Sequence, residues 1–122
     1  MQFSVPGSDV RFTIPDDWWT FCELPIRLPS KFYPYTRKCK EARAVALLEI
    51  EPPRRDDGVP PFRKYKLVPV LLGFTSPECA IPPVRVEEIR DSRYRYRVVN
   101  GYHRYYASIA VAYSKLPVVV VT

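Results

Sequence analysis

The run "PVVVVT" (residues 117–122) is apolar at five consecutive positions, where a strand with one wet face would alternate. A strand of that kind is buried on both faces and lies in the interior of a sheet. The chain must therefore supply strands on either side of it and layers to cover it. Candidates are present upstream. "VRFTI" alternates Val10, Phe12 and Ile14 with Arg11 and Thr13, and "RYRYRVV" alternates Arg93, Arg95 and Arg97 with Tyr94, Tyr96 and Val98. "RAVALLEI" (residues 43–50) and "VRVEEI" (residues 84–89) read as two more strands.

Helical spacing occurs in three places. "PDDWWTFCEL" carries Trp18, Phe21 and Cys22 behind Asp16 and Asp17, which suit a helix start. "PFRKYKLVPVLLGF" places Pro61 at a first turn, and Pro69 is expected to kink or end the helix. A third helix is predicted over residues 102–114. Between residues 24 and 40 the chain is proline-rich and basic with no sustained period, so an irregular arm is expected there. The order strand, helix, arm, strand, helix, strand, strand, helix, strand implies an α+β fold, a small mixed sheet packed with short helices. At 122 residues, one domain over 1–122 is expected.

Several classes are disfavoured. No apolar run reaches the roughly 20 residues of a spanning helix, and "MQFSVPGSDVRF" lacks a basic region followed by an apolar one. No membrane partner is expected. Cys22, Cys39 and Cys79 are odd in number without Cys-x-x-Cys spacing, which argues against a disulfide framework or zinc cluster and suits free thiols in the cytoplasm. The net charge of +6 suits an anionic partner such as a nucleotide or nucleic acid, and is equally compatible with a soluble protein that binds nothing through it.

The junction "NGYHRYYAS" carries the most chemistry. A strand ends at Asn100-Gly101, and the following helix has the chain's single histidine, His103, and Arg104 in its first turn. The first N–H groups of a helix lack intrahelical acceptors and sit at the positive end of its dipole, which favours anions. Gly101 permits close backbone approach, Arg104 offers a forked donor, and His103 donates from one or both ring nitrogens. Asn100, Gly101, His103 and Arg104 are thus candidate phosphate-binding residues. The alternative on the same residues is a structural cap at His103 and a surface or ion-paired Arg104.

"IPPVRVEEIRDSRYRYRVVNGYHRYYASIAVAYSKLPVVVV" resembles the core of the ParB/sulfiredoxin superfamily, in which a Gly-x-[His/Glu/Arg]-Arg box opens a helix that leads to a Pro-Val strand. "VALLEIEPPRR" resembles that family's first strand and Pro-Arg turn. The resemblance covers about residues 45–121 and leaves 1–44 outside. It implies that Gly101, His103 and Arg104 grip the phosphates of a nucleoside triphosphate, ATP or CTP with Mg²⁺, and that Arg54 or Arg55 faces them. It does not imply sulfiredoxin chemistry, because Tyr102 stands where those proteins keep their reducing cysteine. Nor is there room after the core for the separate DNA-reading domain of chromosome-partitioning ParB.

Catalysis would consist of nucleotide hydrolysis or phosphoryl transfer, which needs oriented phosphates, a metal and a base. Glu49, Glu51, Asp56 and Asp57 are candidate oxygen ligands. Glu51 is the first choice of base, its alternative being a pair with Arg54 or Arg55. Two other readings stand beside this one. Arg93, Arg95 and Arg97, with Arg85 and Arg90 nearby, would form a basic stripe able to track DNA, or else the solvated side of a half-buried sheet neutralised by Glu87, Glu88 and Asp91. Trp18 and Trp19 would form a protein-binding surface, or else one is core and the other covers it.

Overall fold

The computed structural model describes residues 1–24, 28, 32–34, 41–53, 61–76, 81–90 and 92–121. Arg54, Arg55, Asp56, Asp57, Cys39, Cys79, Asp91 and most of the proline-rich arm lie outside the described residues.

The expected α+β architecture is present. β1 (Gln2–Ser4) pairs antiparallel with β2 (Arg11–Thr13), followed by α1 (Asp16–Phe21). The main sheet comprises β3 (Arg43–Ala46), β4 (Ile50–Glu51), β5 (Val84–Glu88), β6 (Tyr96–Asn100) and β7 (Lys115–Val120) in the order β3-β7-β5-β6-β4. Two helices pack on each other, α2 (Lys64–Phe74) and α3 (Tyr102–Ala110). β7 is an interior strand as its composition requires. Its Leu116, Pro117 and Val118 are consecutively buried, with β3 antiparallel on one side and β5 parallel on the other.

The segment read as one strand over residues 43–50 divides. Leu47–Glu49 form a 3₁₀ turn that sends β3 and β4 to opposite edges of the sheet. In a flat sheet those edges would be about 19 Å apart, four strand spacings. The 3₁₀ connection covers only about 8 Å at its usual rise. The sheet therefore curls until its edges approach, and contacts cross the seam: Arg43 on β3 donates to the Tyr96 hydroxyl on β6 at 2.8 Å and lies 3.7 Å from Glu88 on β5. Inside the curl Ile50, Val84, Val86 and Val118 are fully buried.

Helix α2 continues through Pro69, where the sequence predicts a kink or stop. Proline inside a helix costs about 3 kcal/mol. Burying Leu67, Val68, Leu71 and Phe74 along the same helix contributes about 1.5–3 kcal/mol each, enough to outweigh it. Pro69 itself is exposed.

Helix α3 stops at Ala110 rather than residue 114. The Tyr113 N–H bonds to the Ser108 carbonyl and the Ala112 N–H to the Ile109 carbonyl, both at 3.0 Å, with Ala112 at φ +65°. This is a Schellman ending built without glycine. α1 ends the same way at Glu23, φ +54°.

β1, β2 and α1 join the same hydrophobic core as the main sheet. Phe12 is the link, its ring 4.8 Å from Tyr106 of α3 and 5.8 Å from Phe62 before α2. Trp19 is buried and packs on Phe3, while Trp18 is half-buried against the core. The two tryptophans thus take the core-and-cover arrangement. No helix among the described residues is long and apolar enough to cross a membrane.

Candidate functional site

Strand β6 delivers the chain to Gly101, whose φ of +122° turns it into α3. A Cβ at that position would lie 2.9 Å from Val84 Cγ1 and 3.3 Å from the Val84 main chain. Both the dihedral and the space thus require glycine. The turn sets the start of α3 directly over β5.

The start of α2 meets it. His103 Nε2 accepts the backbone N–H of Arg63 at 3.1 Å, and Arg63 is the residue that caps α2. Two helix N-termini therefore converge, and neither carries a side-chain cap of its own. Between them opens a cleft of about 1090 Å³. Its polar wall is Asn100, His103, Arg104, Arg63 and Lys66, and its apolar wall includes Pro53, Pro61, Phe62, Val70, Val98 and Val99. No carboxylate lines it among the described residues.

Accepting at Nε2 fixes the resting tautomer of His103, which is neutral with its proton on Nδ1. Burial, followed by the charges of Lys66 and Arg63, holds its pKa below the ordinary histidine value. The ring makes edge contacts with Phe62 and Tyr102.

Arg104 lines the cleft, but its guanidinium is engaged with protein acceptors. Nη1 donates to the carbonyls of Pro82 and Pro83 at 3.0 and 2.7 Å, and Nη2 to Asn100 Oδ1 at 3.2 Å. The Tyr33 hydroxyl donates to the same Pro82 carbonyl at 2.7 Å. Burial raises the Tyr33 pKa, and the adjacent Arg104 offsets part of that rise. Arg104 thus ties the chain leading into β5 to the first turn of α3, and α3 is a rigid mount, with Tyr105, Tyr106, Ala107, Ser108 and Ile109 all buried.

Of the residues singled out by sequence, Asn100, Gly101, His103 and Arg104 are brought together in this cleft. Glu51 is not among its lining residues: its Oε2 lies 3.2 Å from Arg97 Nε, on the adjacent strand. Glu49 sits in the 3₁₀ turn, where its carbonyl accepts the Arg95 N–H at 2.8 Å. Arg63 and Lys66 are the cleft cations that the sequence reading missed. A signal was available in "FRKYK": cations oppose the positive end of a helix dipole, so a basic first turn without an acidic residue is locally unfavourable unless an anion answers it.

The arginine stripe is distributed differently. Only Arg97 lies within β6, and it pairs with Glu51 and with Glu87 at 3.8 Å. Arg93 donates to the Gly7 carbonyl and stacks over Tyr94, and Arg95 stacks over Tyr96. Among the described residues no cluster of three or more His, Cys, Asp or Glu could hold a metal ion.

Comparison with protein-family models, curated proteins and solved structures finds no match. The ParB/sulfiredoxin resemblance accordingly rests on the residues that carry it.

Proposed function

We propose that this chain binds the phosphates of a nucleoside triphosphate, ATP or CTP, in the cleft where α2 and α3 begin. The observation that carries the reading is the convergence of two helix N-termini on one cleft whose described lining contains His103, Arg104, Arg63 and Lys66 and no carboxylate. Each helix start contributes about half a positive charge. The fixed cations add to that field, and an anion is the natural complement. The apolar wall, with Val99 half-exposed to solvent, suits a ligand with a flat apolar part as well as phosphates. The resemblance to ParB/sulfiredoxin proteins supplies the nucleotide, and an odd number of cysteines without Cys-x-x-Cys spacing in a basic chain suits a cytoplasmic setting.

Among the described residues the charged ends of Arg63 and Lys66 hold no acceptor, and Lys66 lies 5.9 Å from the Tyr65 ring centre. These two are the groups that turn to phosphate oxygens, with Arg104 holding the floor. Mg²⁺ would arrive on the phosphates, since the described cleft residues offer it no carboxylate. For the same reason the proposal is one of binding, and Glu51, paired with Arg97, has no assigned step. The DNA-associated alternative has less support, because Arg97 is neutralised by two glutamates.

Calorimetric titration with ATP, CTP and tripolyphosphate, with and without Mg²⁺, tests the reading. Saturable binding that Lys66→Ala weakens about tenfold and Arg95→Glu leaves unchanged is the expected result, the loss of one charged contact. Failure of all three ligands to saturate below millimolar concentration overturns it.

A further inference from the structure

The position of His103 has a consequence for how the cleft is loaded. Its Nε2 lies 3.1 Å from the Arg63 nitrogen and accepts that N–H, so the imidazole caps one helix from the first turn of another. Among the described residues every charged group that lines the cleft is cationic: Arg63 at the α2 cap, Lys66 on α2 and Arg104 on the histidine's own helix. Tyr102 beside it is uncharged, as are Asn100, Val98 and Val99 of β6 and the flanking Pro53 and Pro61. In the free protein these charges oppose a second proton on the ring. With that proton, Nε2 becomes a donor pointing at another donor, and the bond to Arg63 cannot persist.

We infer that the cleft takes up one proton from solvent together with its anion, and that His103 is the group that accepts it. The inference rests on the anion-binding reading above. A bound polyanion neutralises Arg63 and Lys66 and reverses the field at the ring. Protonation at Nε2 then breaks the Arg63 bond and turns two donors, the imidazolium N–H and the Arg63 N–H, towards the ligand. The same step removes an acceptor from the start of α2, so occupancy of the cleft is communicated to that helix. The depressed His103 pKa of the free protein agrees with this geometry. By linkage, affinity for the anion rises as pH falls through the window between the free and bound pKa values of His103 and levels off below it.

His103 is the only histidine in the chain, so its Cε1–H resonance is unambiguous. The experiment follows that resonance from about pH 4.5 to about pH 8.5 in the full chain, alone and with saturating tripolyphosphate, while backbone amides of residues 63, 66 and 101 report binding. The midpoint is expected below about 6.5 in the free protein and higher by about one unit or more in the complex, a tenfold coupling. The exposed Lys66→Gln variant, which leaves the core intact, should raise the free midpoint and shrink the ligand-induced rise. His103→Gln keeps an acceptor for Arg63 but cannot titrate. It should lose the extra affinity at low pH, the titration of tripolyphosphate itself being common to both proteins. Saturable binding with an unmoved midpoint overturns the inference and leaves the anion site standing. Amides that show no saturable binding overturn the anion site and the inference together.

Discussion

His103 on α3 accepts the backbone N–H of Arg63 at 3.1 Å, so the start of one helix is capped by a side chain from the start of another. Forty residues separate the two in sequence, and the bond fixes the angle at which the two helix starts share a cleft. His103→Ala is expected to lower stability by about 1 kcal/mol, the worth of one such hydrogen bond. The first turn of α2 should open before the rest of the helix. Urea denaturation gives the loss, and amide exchange at residues 63–67 gives its location.

The same bond makes stability depend on pH. The folded pKa of His103 is depressed, so as pH falls past the unfolded value of about 6.5 the unfolded chain binds a proton that the native chain does not. Stability contributed by neutral His103 is thus fully present above that value. It is lost progressively as pH falls, and the loss ends below the folded pKa. Denaturation midpoints measured from about pH 8 down to about pH 5 should fall in the wild type, and that part of the fall should vanish in His103→Gln.

Arg104 and Lys66 line one cleft but should respond differently to removal. Truncating Arg104 leaves the half-buried Pro83 carbonyl without its donor, while the Pro82 carbonyl keeps the Tyr33 hydroxyl; an unmet buried acceptor costs about 1–3 kcal/mol. Lys66 is exposed, and its ammonium lies 5.9 Å from the centre of the equally exposed Tyr65 ring, a contact worth little in water. Arg104→Ala is therefore expected to lose stability and anion binding together, while Lys66→Ala loses binding with stability within about 0.5 kcal/mol of wild type. Equal loss of binding with no loss of stability for Arg104→Ala would show that the Pro83 carbonyl is satisfied by water.

Legibility in the sequence followed the range of the interaction. The interior character of β7 could be read because five consecutive apolar residues admit few other fates, and the turn at Gly101 because strand and helix periods meet there. The break at Leu47–Glu49 could not, since "RAVALLEI" is good strand sequence throughout and only the pairing of its halves with β7 and β6 decides where it divides. Pro69 misled in the opposite sense: its local cost is real, and burial along α2 exceeds it. At the cleft, His103 and Arg104 were visible as residue types, but their partners were not. Pro82, Pro83 and the Arg63 N–H are backbone groups, and backbone acceptors and donors leave no mark in a sequence.

Ala112 offers a gain. It holds φ +65° at the residue after the α3 cap, a conformation in which a Cβ costs about 1 kcal/mol. The residue is exposed, so nothing depends on its methyl group. Ala112→Gly should raise stability by about 0.5–1 kcal/mol, less the extra freedom glycine gives the unfolded chain. A rise in the urea midpoint without change in the slope is the expected signature. No change would mean that the two effects cancel.

Gly101 is the position least able to change. Any side chain there must hold φ +122° and place a Cβ 2.9 Å from Val84 Cγ1 and 3.3 Å from the Val84 main chain. The dihedral alone costs about 1–3 kcal/mol, and Val84, fully buried, has little room to yield. Gly101→Ala should therefore lose about 2 kcal/mol or more and misplace the start of α3, weakening anion binding even in the fraction that folds. The two causes can be separated with Val84→Ala, which removes the nearest methyl groups and leaves the dihedral untouched. Gly101→Ala should cost about 1 kcal/mol less in that background, a coupling within the usual range for residues in contact. Equal cost in both backgrounds would show that Val84 moves aside and that backbone strain is the whole effect. In either case the strain remains in the double variant, so anion binding should stay weaker than in Val84→Ala alone.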